Sequence, residues 1–424
     1  MYRYLLLIAV LCITIVGKIS AQIPKWKQGY LDIHTIFTGH GNSQYIVFPD
    51  GTTMMIDAGD HWTEPYNKRY APMRASRIYP DSTFTAAKAI VNYVNQAQSG
   101  QQKGIDYFLI THFHSDHYGE ANPIFPKSPK GGYILNGLTE LAEYLPIRTI
   151  VDRGYPNYDF PVDMRHRVKE DGSPQDPSFA NYLKFIEYQQ AKNGLKVEKF
   201  DVGSNRQFVP LKVLGGSFPK FTVQNIKASN VLWTGKGEDT QALFSKDDIT
   251  SGTQNFNENP LSCALVIKYG KFSYYAGGDN TGLYDQDHKL WFDVETPMAK
   301  VVGRVAAMSL NHHGNRDATN LNFLNALDPK VVIMQTWSSD HPGQEVGQRL
   351  ISPNVGTHDR DVYMTRMDPL TSLGIGPWFE NKLKGKLGHY LLRVYPDSSY
   401  EVYTLDCTKS RISVLAQSER YHAD

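Results

Sequence analysis

The sequence predicts a mixed α/β protein, because short apolar strands and amphipathic helices alternate along most of its 424 residues. Residues 29–59 alternate apolar and polar side chains between Gly and Asp-Gly turns, a pattern typical of strands. Apolar residues then recur at helical spacing and predict a helix over about 83–98. With 41% hydrophobic residues, the chain can bury a large core, in one elaborated domain or two small ones.

The same alternation continues toward the C terminus. We predict strands over 107–111, 148–152, 221–226, 261–269, 271–276, 305–311 and 329–335, and helices over 137–145, 179–193 and 317–327. Runs over 389–395 and 400–405 predict a hairpin. Residues 154–180 are rich in Pro, Tyr, Asp and Gly without periodicity, so we expect a long irregular loop of the kind that sets substrate choice.

A dense cluster of ligand-type side chains directly follows the predicted strand 107–111: His112, His114, Asp116 and His117. Side chains two apart on an extended segment point the same way, so His112 and His114 can bind one metal ion. Asp116 and His117 lie past the strand end, where a turn permitted by Gly119 can direct them toward a second ion. Imidazole and carboxylate ligands suit zinc and tolerate manganese or iron. Satisfied surface histidines beside a helix cap are the alternative, which the density of the cluster disfavours.

Two later segments also end an apolar strand on ligand-type residues. Asp279 follows Gly277-Gly278, and its two carboxylate oxygens can bridge two cations. Alone it would be read as a turn aspartate, but the upstream cluster favours a ligand. The strand 305–311 ends in His312 and His313. Because adjacent strand residues face opposite sides, we expect only one of the two histidines to bind metal directly.

The motif His-x-His-x-Asp-His after a strand resembles the signature of the metallo-β-lactamase superfamily of hydrolases. Within it, residues 38–59, 257–270, 311–314 and 340–342 resemble the hydrolase domain of DNA-uptake competence proteins and the choline-phosphate esterases of bacterial surfaces. The resemblance spans roughly residues 30–350. It implies an αββα sandwich of two mixed sheets flanked by helices, with metal ions at one sheet edge, and the predicted order of elements fits that layout.

The resemblance also implies roles for individual residues. The metal ligands would be His112, His114, Asp116, His117, Asp279 and His313. Asp116 would anchor the second ion or orient the nucleophile, and His312 would contact substrate or donate a proton to the leaving group, although the two histidines could exchange roles. Asp57 would support the ligand loops through hydrogen bonds. Asn259 and His341 would contact substrate, and the alternative for His341 is a turn residue before Pro342 whose ring is packed.

One departure from the superfamily pattern concerns the first metal ion. Many members supply a further histidine between the histidine motif and the aspartate, whereas here only His166, in a polar loop, lies between Tyr118 and Asp279. The segment Asn257-Glu258-Asn259 occupies the corresponding place. Water, Glu258 or Asn259 could complete the first site, or the site could be weakly occupied, so the number of zinc ions, one or two, stays open.

The N terminus predicts export. A basic start, an apolar run over 4–16 and small residues up to Ala21 are typical of a secretory signal, and the run is too short to span a membrane. We expect removal of residues 1–21, a hydrolase domain over 22–352 with the inserted loop at about 154–180, and a β-hairpin extension over 353–424 packed on that domain. The protein would be periplasmic or secreted, without a membrane anchor.

The charge balance disfavours a nucleic-acid partner. Removing residues 1–21 deletes Arg3 and Lys18 and no acid, which leaves 42 basic and 43 acidic groups. A protein that grips nucleic acid usually shows a basic stripe, and the lysine clusters here are small. The expected partner is therefore a small-molecule or phosphoester substrate.

The resemblance to competence-type and choline-phosphate hydrolases implies hydrolysis of a phosphodiester or phosphorylcholine-like ester by a metal-activated water. Antibiotic-degrading superfamily members often carry cysteine where this chain has Asp279, which disfavours a lactamase. Tyr155 and Tyr158 in the inserted loop could cage a quaternary ammonium group, although loop aromatics usually pack against their neighbours. The alternatives are a lactonase or other carboxylic-ester hydrolase, and a binding protein that kept the fold without turnover.

Overall fold

The structure is a computed structural model that describes residues 22–98, 104–213, 215–253, 255–283, 289–357 and 359–423. The expected signal peptide over 1–21 lies outside the described residues. Among those that are described, no helix has the length and apolar character that crossing a membrane requires.

The first sheet is built mainly from the two ends of the chain. Its strands are β1 (Leu31–Thr35), β2 (Gln44–Val47), β3 (Thr53–Ile56), β4 (Ile105–Leu109), β5 (Ile147–Asp152), β6 (Lys196–Lys199), β16 (His389–Val394), β17 (Ser399–Leu405), β18 (Val414–Gln417) and β19 (Tyr421–His422). They lie in the order β18-β17-β16-β1-β2-β3-β4-β5-β6, with β19 also paired to β17. Strands β3 to β6 are parallel, whereas the pairs from β18 to β3 are antiparallel.

The second sheet is built from the middle of the chain. Its strands are β7 (Phe221–Ala228), β8 (Val231–Trp233), β9 (Thr240–Ala242), β10 (Ala264–Tyr269), β11 (Phe272–Ala276), β12 (Ala307–Ser309), β13 (Val331–Met334), β14 (Asp361–Met364) and β15 (Leu383–Gly385). They lie in the order β15-β14-β13-β12-β11-β10-β7-β8-β9, and β11 to β15 are parallel. Residues 359–423 thus supply strands to both sheets, while the expected domain boundary at 352 stays a prediction.

Helices cover the outer faces of the two sheets. They are α1 (Thr63–Arg69), α2 (Ala86–Ala97), α3 (Ser115–Tyr118), α4 (Leu138–Tyr144), α5 (Pro177–Asn193), α6 (Lys246–Thr250), α7 (Glu295–Val302), α8 (Leu321–Leu327), α9 (Gln344–Ile351), α10 (Pro369–Ile375) and α11 (Pro377–Glu380). Short 3₁₀ turns lie at Asn259–Leu261, Leu290–Phe292 and Asn311–Gly314.

Three apolar layers hold this αββα sandwich together. Strand β4 illustrates how one strand contributes to two layers, because successive side chains on a strand point to opposite faces of the sheet. Tyr107 and Leu109 therefore pack between the two sheets, whereas Phe108 and Ile110 pack outward under α2, α4 and α5. A third layer joins the second sheet to α7, α8 and α9. The expected fold class is confirmed.

Helix caps explain two boundaries that differ from expectation. The helix predicted over 83–98 begins at Ala86, because the Thr85 side chain accepts a hydrogen bond from Lys88 N. The helix predicted over 317–327 begins only at Leu321, because the Asn320 side chain caps it and the preceding residues form turns. The short helices α1, α7, α9 and α10 were not predicted, since each covers only about two turns.

Candidate metal centre

The expected ligands lie where neighbouring strands end at one edge of the sandwich. Strand β4 of the first sheet leads into residues 112–117, and β11 leads into Asp279. Strand β12 leads into His312 and His313, and β13 leads toward His341. Because β11, β12 and β13 are parallel neighbours, their carboxyl ends meet at the same edge.

Four of these residues form a compact cage. The ligand atoms of Asp116, His117, Asp279 and His313 all lie within 4.8 Å of one another, and all four residues are buried. Nε2 of His313 is 2.9 Å from Asp116 Oδ2 and 3.3 Å from Asp279 Oδ2. Nε2 of His117 is 3.2 Å from Asp279 Oδ1 and 3.6 Å from Asp116 Oδ2. An ion with bonds of about 2.1 Å in tetrahedral geometry separates its ligands by roughly 3.4 Å, so the cage matches such an ion.

Unpartnered polar atoms support the same conclusion. His112 Nε2, His117 Nε2 and Asp279 Oδ1 are buried without a hydrogen-bond partner of suitable geometry. Leaving a buried polar atom unpaired costs about 1–3 kcal/mol; a divalent cation in the cage would satisfy His117 and Asp279, and a second one beside it would satisfy His112. The residues present therefore fit a metal ion.

Hydrogen bonds from the rear fix the orientation of both cage histidines. Asp57 Oδ2 lies 2.8 Å from His117 Nδ1, and the Asp57 carboxylate also accepts from the backbone N and Oγ1 of Thr111. His313 Nδ1 lies 3.0 Å from the backbone oxygen of Gln335. Donation from Nδ1 in each ring leaves the Nε2 lone pair directed into the cage.

The other two histidines of the motif lie on the far side of Asp279. His112 Nε2 is 3.9 Å from Asp279 Oδ2, and the rings of His112 and His114 are 4.7 Å apart. These residues can hold a first ion, with Asp279 between the two sites. The donor atoms of this first site are more widely spaced than those of the cage.

The sequence left open what completes the first site, and the structure narrows the choice. Glu258 is engaged through both carboxylate oxygens by the guanidinium of Arg153. His166 is exposed and bonds Asp163, so it does not reach the centre. Asn259, water and weak occupancy of the first site stay open, and Asn259 has a buried Oδ1 without a partner while its Nδ2 lies 3.0 Å from His312 Nε2.

The geometry of the pair at 312–313 differs from expectation. Strand β12 ends at Ser309, and both histidines adopt left-handed backbone angles, with φ of 46° at His312 and 55° at His313. The expectation that the pair faces opposite sides of a strand was wrong, because a tight turn lets both rings line the same cleft. His313 enters the cage, whereas His312 Nε2 stays 3.9 Å from Asp279 Oδ2.

His312 is held by a carboxylate of its own. Its Nδ1 lies 2.5 Å from Asp317 Oδ1. Burial alone would lower the pKa of His312, but the charges of Asp279 and Asp317 outweigh it and raise that pKa above its usual value. The ring is therefore suited to holding a proton at the edge of the cleft.

The histidines of the cage keep its two carboxylates ionised. Burial by itself would raise the pKa of Asp279, but His117, His313 and His312 outweigh it and hold that pKa well below its usual range. The pKa of Asp116 is lowered in the same way, by His117 and His313. Both carboxylates are therefore ionised and available as ligands.

The cage opens into a cleft of about 500 Å³, whose lining includes His341, as predicted, and Trp337, which the sequence analysis missed. Trp337 Nε1 lies 3.0 Å from Asp116 Oδ2, and His341 stacks on His313 with ring centroids 4.7 Å apart. Residues 61–73, which include α1, form the opposite side. The position of Trp337 in the sequence could have indicated this role. Trp337 follows the predicted strand 329–335, just as the other site residues follow the ends of predicted strands.

The long loop expected to border the site does not line the main cleft and reaches the metal centre only from another side. Residues of 164–177 line a separate cavity of about 310 Å³, which touches the centre only at His114. Tyr158 is fully buried, and its hydroxyl bonds Asp152. Packing, the alternative to a quaternary ammonium cage at Tyr155 and Tyr158, therefore holds for the Tyr158 ring.

A family model of the metallo-β-lactamase superfamily matches residues 37–176, which include the histidine motif. This match covers 140 of the 424 residues, and that part of the chain resembles the metallo-β-lactamase superfamily. Together with the αββα fold and the cluster of histidine and aspartate ligands, it confirms the expected enzyme class, a metallohydrolase of the metallo-β-lactamase fold.

Solved structures with distant similarity were also found. A Parabacteroides distasonis protein to which a metal-dependent hydrolase activity is ascribed is 13% identical, with a TM-score of 0.34, covering 79% of this chain and 92% of its own. Zn²⁺-bound PqqB from Methylobacterium extorquens is 11% identical, with a TM-score of 0.32 and coverages of 69% and 76%. The short form of human tRNase Z is 10% identical, with a TM-score of 0.28 and coverages of 72% and 92%. No curated protein sequence matches the chain significantly.

Proposed function

We propose that this metallohydrolase is an exported phosphoesterase, acting on a phosphodiester or phosphorylcholine-like ester, in the branch of competence-protein and choline-phosphate hydrolases. Zinc is the proposed metal, with manganese or iron as alternatives. One observation carries the proposal: a buried cage of two carboxylates and two histidines faces the same cleft as a histidine supported by its own aspartate.

The roles of the residues follow from their positions. Divalent ions, when bound, supply a nucleophilic water at neutral pH and positive charge for the phosphoryl oxygens. Asp116, Asp279, His117 and His313 would hold one ion, and His112 and His114 with Asp279 would hold the other. Asp116 also accepts from Trp337, which restricts the direction of its free lone pairs.

His312 would deliver the proton to the leaving oxygen. Asp317 holds the ring from Nδ1, so Nε2 is left on the cleft side, 3.9 Å from Asp279 Oδ2. A phosphate ester with a basic leaving group needs such an acid, because an alkoxide is a poor leaving group without protonation.

A substrate panel tests the proposal. Purified protein with defined metal content is offered bis-p-nitrophenyl phosphate, p-nitrophenyl phosphorylcholine and an acyl lactone. We expect turnover of at least one phosphoester. Turnover of the lactone alone would contradict the phosphoesterase proposal and support the lactonase alternative.

Export is tested separately from activity. The full-length gene is expressed with a C-terminal tag, and the N-terminal residue of the mature protein is identified. We expect a protein that begins after Ala21 and is recovered outside the cytoplasm. A cytoplasmic protein that retains residues 1–21 would contradict export and leave the chemistry untouched.

A further inference from the structure

An aromatic surface borders the metal cage on the side away from His312. We call it the α1 wall: Trp62, Tyr66, Arg69 and Tyr70. Trp337 connects the wall to the cage, because its indole Nε1 bonds Asp116 and its ring lies 5.1 Å from that of Tyr66. A group attached directly to a reacting phosphorus would therefore meet these rings.

The rings of the wall are not used by the hydrophobic core. Helix α1 has no buried residue, although it carries Tyr66 and is flanked by Trp62 and Tyr70. Tyr70 is 40% exposed, and its ring lies 4.9 Å from that of Tyr66. Aromatic side chains that remain uncovered beside a catalytic cleft are suited to stacking on a planar ligand.

The wall is held in place by the loop after β13. The backbone N of Ser339 donates to Arg74 O, and the backbone N of Ser76 donates to Trp337 O. The Tyr66 hydroxyl lies 2.7 Å from Ser338 Oγ. These contacts hold the rings before a ligand arrives, which reduces the entropy lost on binding.

The wall also carries a cation that has no acidic partner. The guanidinium of Arg69 lies 5.2 Å from the ring centre of Tyr70, and no carboxylate among the described residues lies within ion-pair distance of it. The acids nearby are engaged otherwise: Glu120 accepts from Trp62 N, and Asp340 accepts from Ser338 Oγ. Arg69 is thus available to an anionic group of a ligand.

We infer that the α1 wall is a specificity subsite for the non-leaving part of the substrate, and that it selects a planar ring beside the phosphoryl group with a second anionic group at the far end of the ring. This inference rests on the proposed phosphoesterase function. The leaving group belongs on the other side, where His312 borders Asp279 and Asn259. A cleft of about 500 Å³ holds a small molecule of this kind.

The preference for a planar ring next to the phosphoryl group is tested with a matched pair of substrates. The p-nitrophenyl esters of phenylphosphonate and methylphosphonate share charge and leaving group and differ only in the ring. We expect kcat/KM to favour the phenyl ester by about tenfold, mainly through KM, since stacking of this kind is typically strong enough for such a factor.

Two variants of one residue provide the control. Tyr66→Ala should bring the phenyl-to-methyl ratio close to one, while Tyr66→Phe, which loses only the hydrogen bond to Ser338, should keep the preference. Hydrolysis of the methyl ester reports that each variant is folded and active. A ratio near one in the unmodified enzyme, or a preference that survives in Tyr66→Ala, would overturn the inference.

Arg69 is tested by inhibition, without turnover of the probe. We expect 4-phosphonobenzoic acid to inhibit about threefold more strongly than phenylphosphonic acid, as an exposed ion pair allows. Arg69→Gln should abolish the difference, and Arg69→Lys should keep part of it. Equal inhibition by both acids would show that Arg69 does not bind a second anionic group of the ligand.

The subsite and the proposed function fail in distinguishable ways. Calorimetric binding of phenylphosphonic and methylphosphonic acids to the metal-loaded protein needs no catalysis. An enzyme that hydrolyses neither phosphonate esters nor phosphodiesters would contradict the proposed function. Tighter binding of phenylphosphonic acid than of methylphosphonic acid would still support the α1 wall as a binding subsite. Phosphoesterase activity without a preference for the phenyl group would contradict only the subsite assigned to the α1 wall.

Discussion

A single hydrogen bond behind the cage determines how His117 presents its ring. Asp57 accepts from Nδ1, so Nε2 is left as the metal-binding atom. Asp57 itself adopts φ of 61° and is held by Thr111. The residue acts on the metal through another side chain, because none of its atoms belongs to the cage.

Replacing Asp57 tests this support. Asp57→Asn keeps the shape but lowers the ability to accept from Nδ1, so we expect metal affinity to fall about 10- to 100-fold. Competition with a chelator of known affinity measures the change. Asp163→Asn in an exposed loop is the matched control, and equal affinities in both variants would contradict the role of Asp57.

His312 and His313 should respond differently to replacement, although they are neighbours. His313→Ala should lose bound metal, because the cage loses one of four ligands. His312→Ala should keep metal at the cage, while its kcat falls about 10²- to 10⁴-fold on an alkyl ester and much less on a p-nitrophenyl ester. Elemental analysis together with the two leaving groups separates these outcomes. If His312→Ala lost bound metal and His313→Ala kept it, then His312 would be the metal ligand and His313 the proton donor.

The loop after β12 is an element whose shape depends on one buried acid. Glu295 in α7 accepts from Asn311 Nδ2 and from the backbone N of Thr319, both at 2.7 Å. It also accepts from the backbone N of Asn320 at 2.7 Å. This carboxylate therefore ties both ends of the segment that carries His312, His313 and Asp317.

Removing that carboxylate should loosen the whole loop. In Glu295→Ala three buried donors lose their acceptor, so we expect the free energy of unfolding to fall by about 3 kcal/mol or more. Glu295→Gln keeps one acceptor oxygen and should lose less. Urea denaturation measures both, with exposed Glu170→Gln as the control. Unchanged stability in Glu295→Ala would show that the loop is held by other contacts.

The stability of the whole molecule should be sensitive to acid at a place remote from the metal centre. His34 in β1 and His389 in β16 lie on paired strands of the first sheet, and the ring of Tyr93 lies 5.5 and 4.8 Å from theirs. Burial lowers the pKa of each histidine to about 3, with the charge of Arg393 adding to the effect at His34 and Asp406 opposing it at His389. Both rings are therefore neutral in the folded protein.

The sign of the pH dependence follows from these lowered pKa values. An unfolded histidine binds its proton near pH 6.5, whereas the folded protein resists protonation until about pH 3. Stability is thus fully present above pH 6.5 and is lost as the pH falls, by up to about 1.4 kcal/mol per pH unit for each histidine.

His389→Asn tests this slope. Its side-chain oxygen can still accept from Phe37 N, which now donates to His389 Nδ1, but the group no longer titrates. Urea midpoints between pH 7 and 4.5 should fall less steeply in the variant. Parallel curves for variant and parent would show that acid acts elsewhere in the molecule.

Much of the fold and of the site was predictable because the signals are local. The strand before the histidine motif, the helices α2, α4 and α5 and the final hairpin each show their period within a short window. The ligand candidates follow strand ends, so their positions could be recognised one segment at a time. The short helix α1 has no buried face and left no such pattern.

The sequence by itself determined which residues are available as ligands and that strands and helices alternate, because both depend on neighbours within a few positions. Only the tertiary structure decided that Asp116, His117, Asp279 and His313 form one cage and that residues 61–73 line its cleft instead of the loop at 154–180. The physical reason is pairing over long distances. The order of β11, β12 and β13 brings their ends together, and contacts such as Arg74 with Ser339 join positions 265 residues apart.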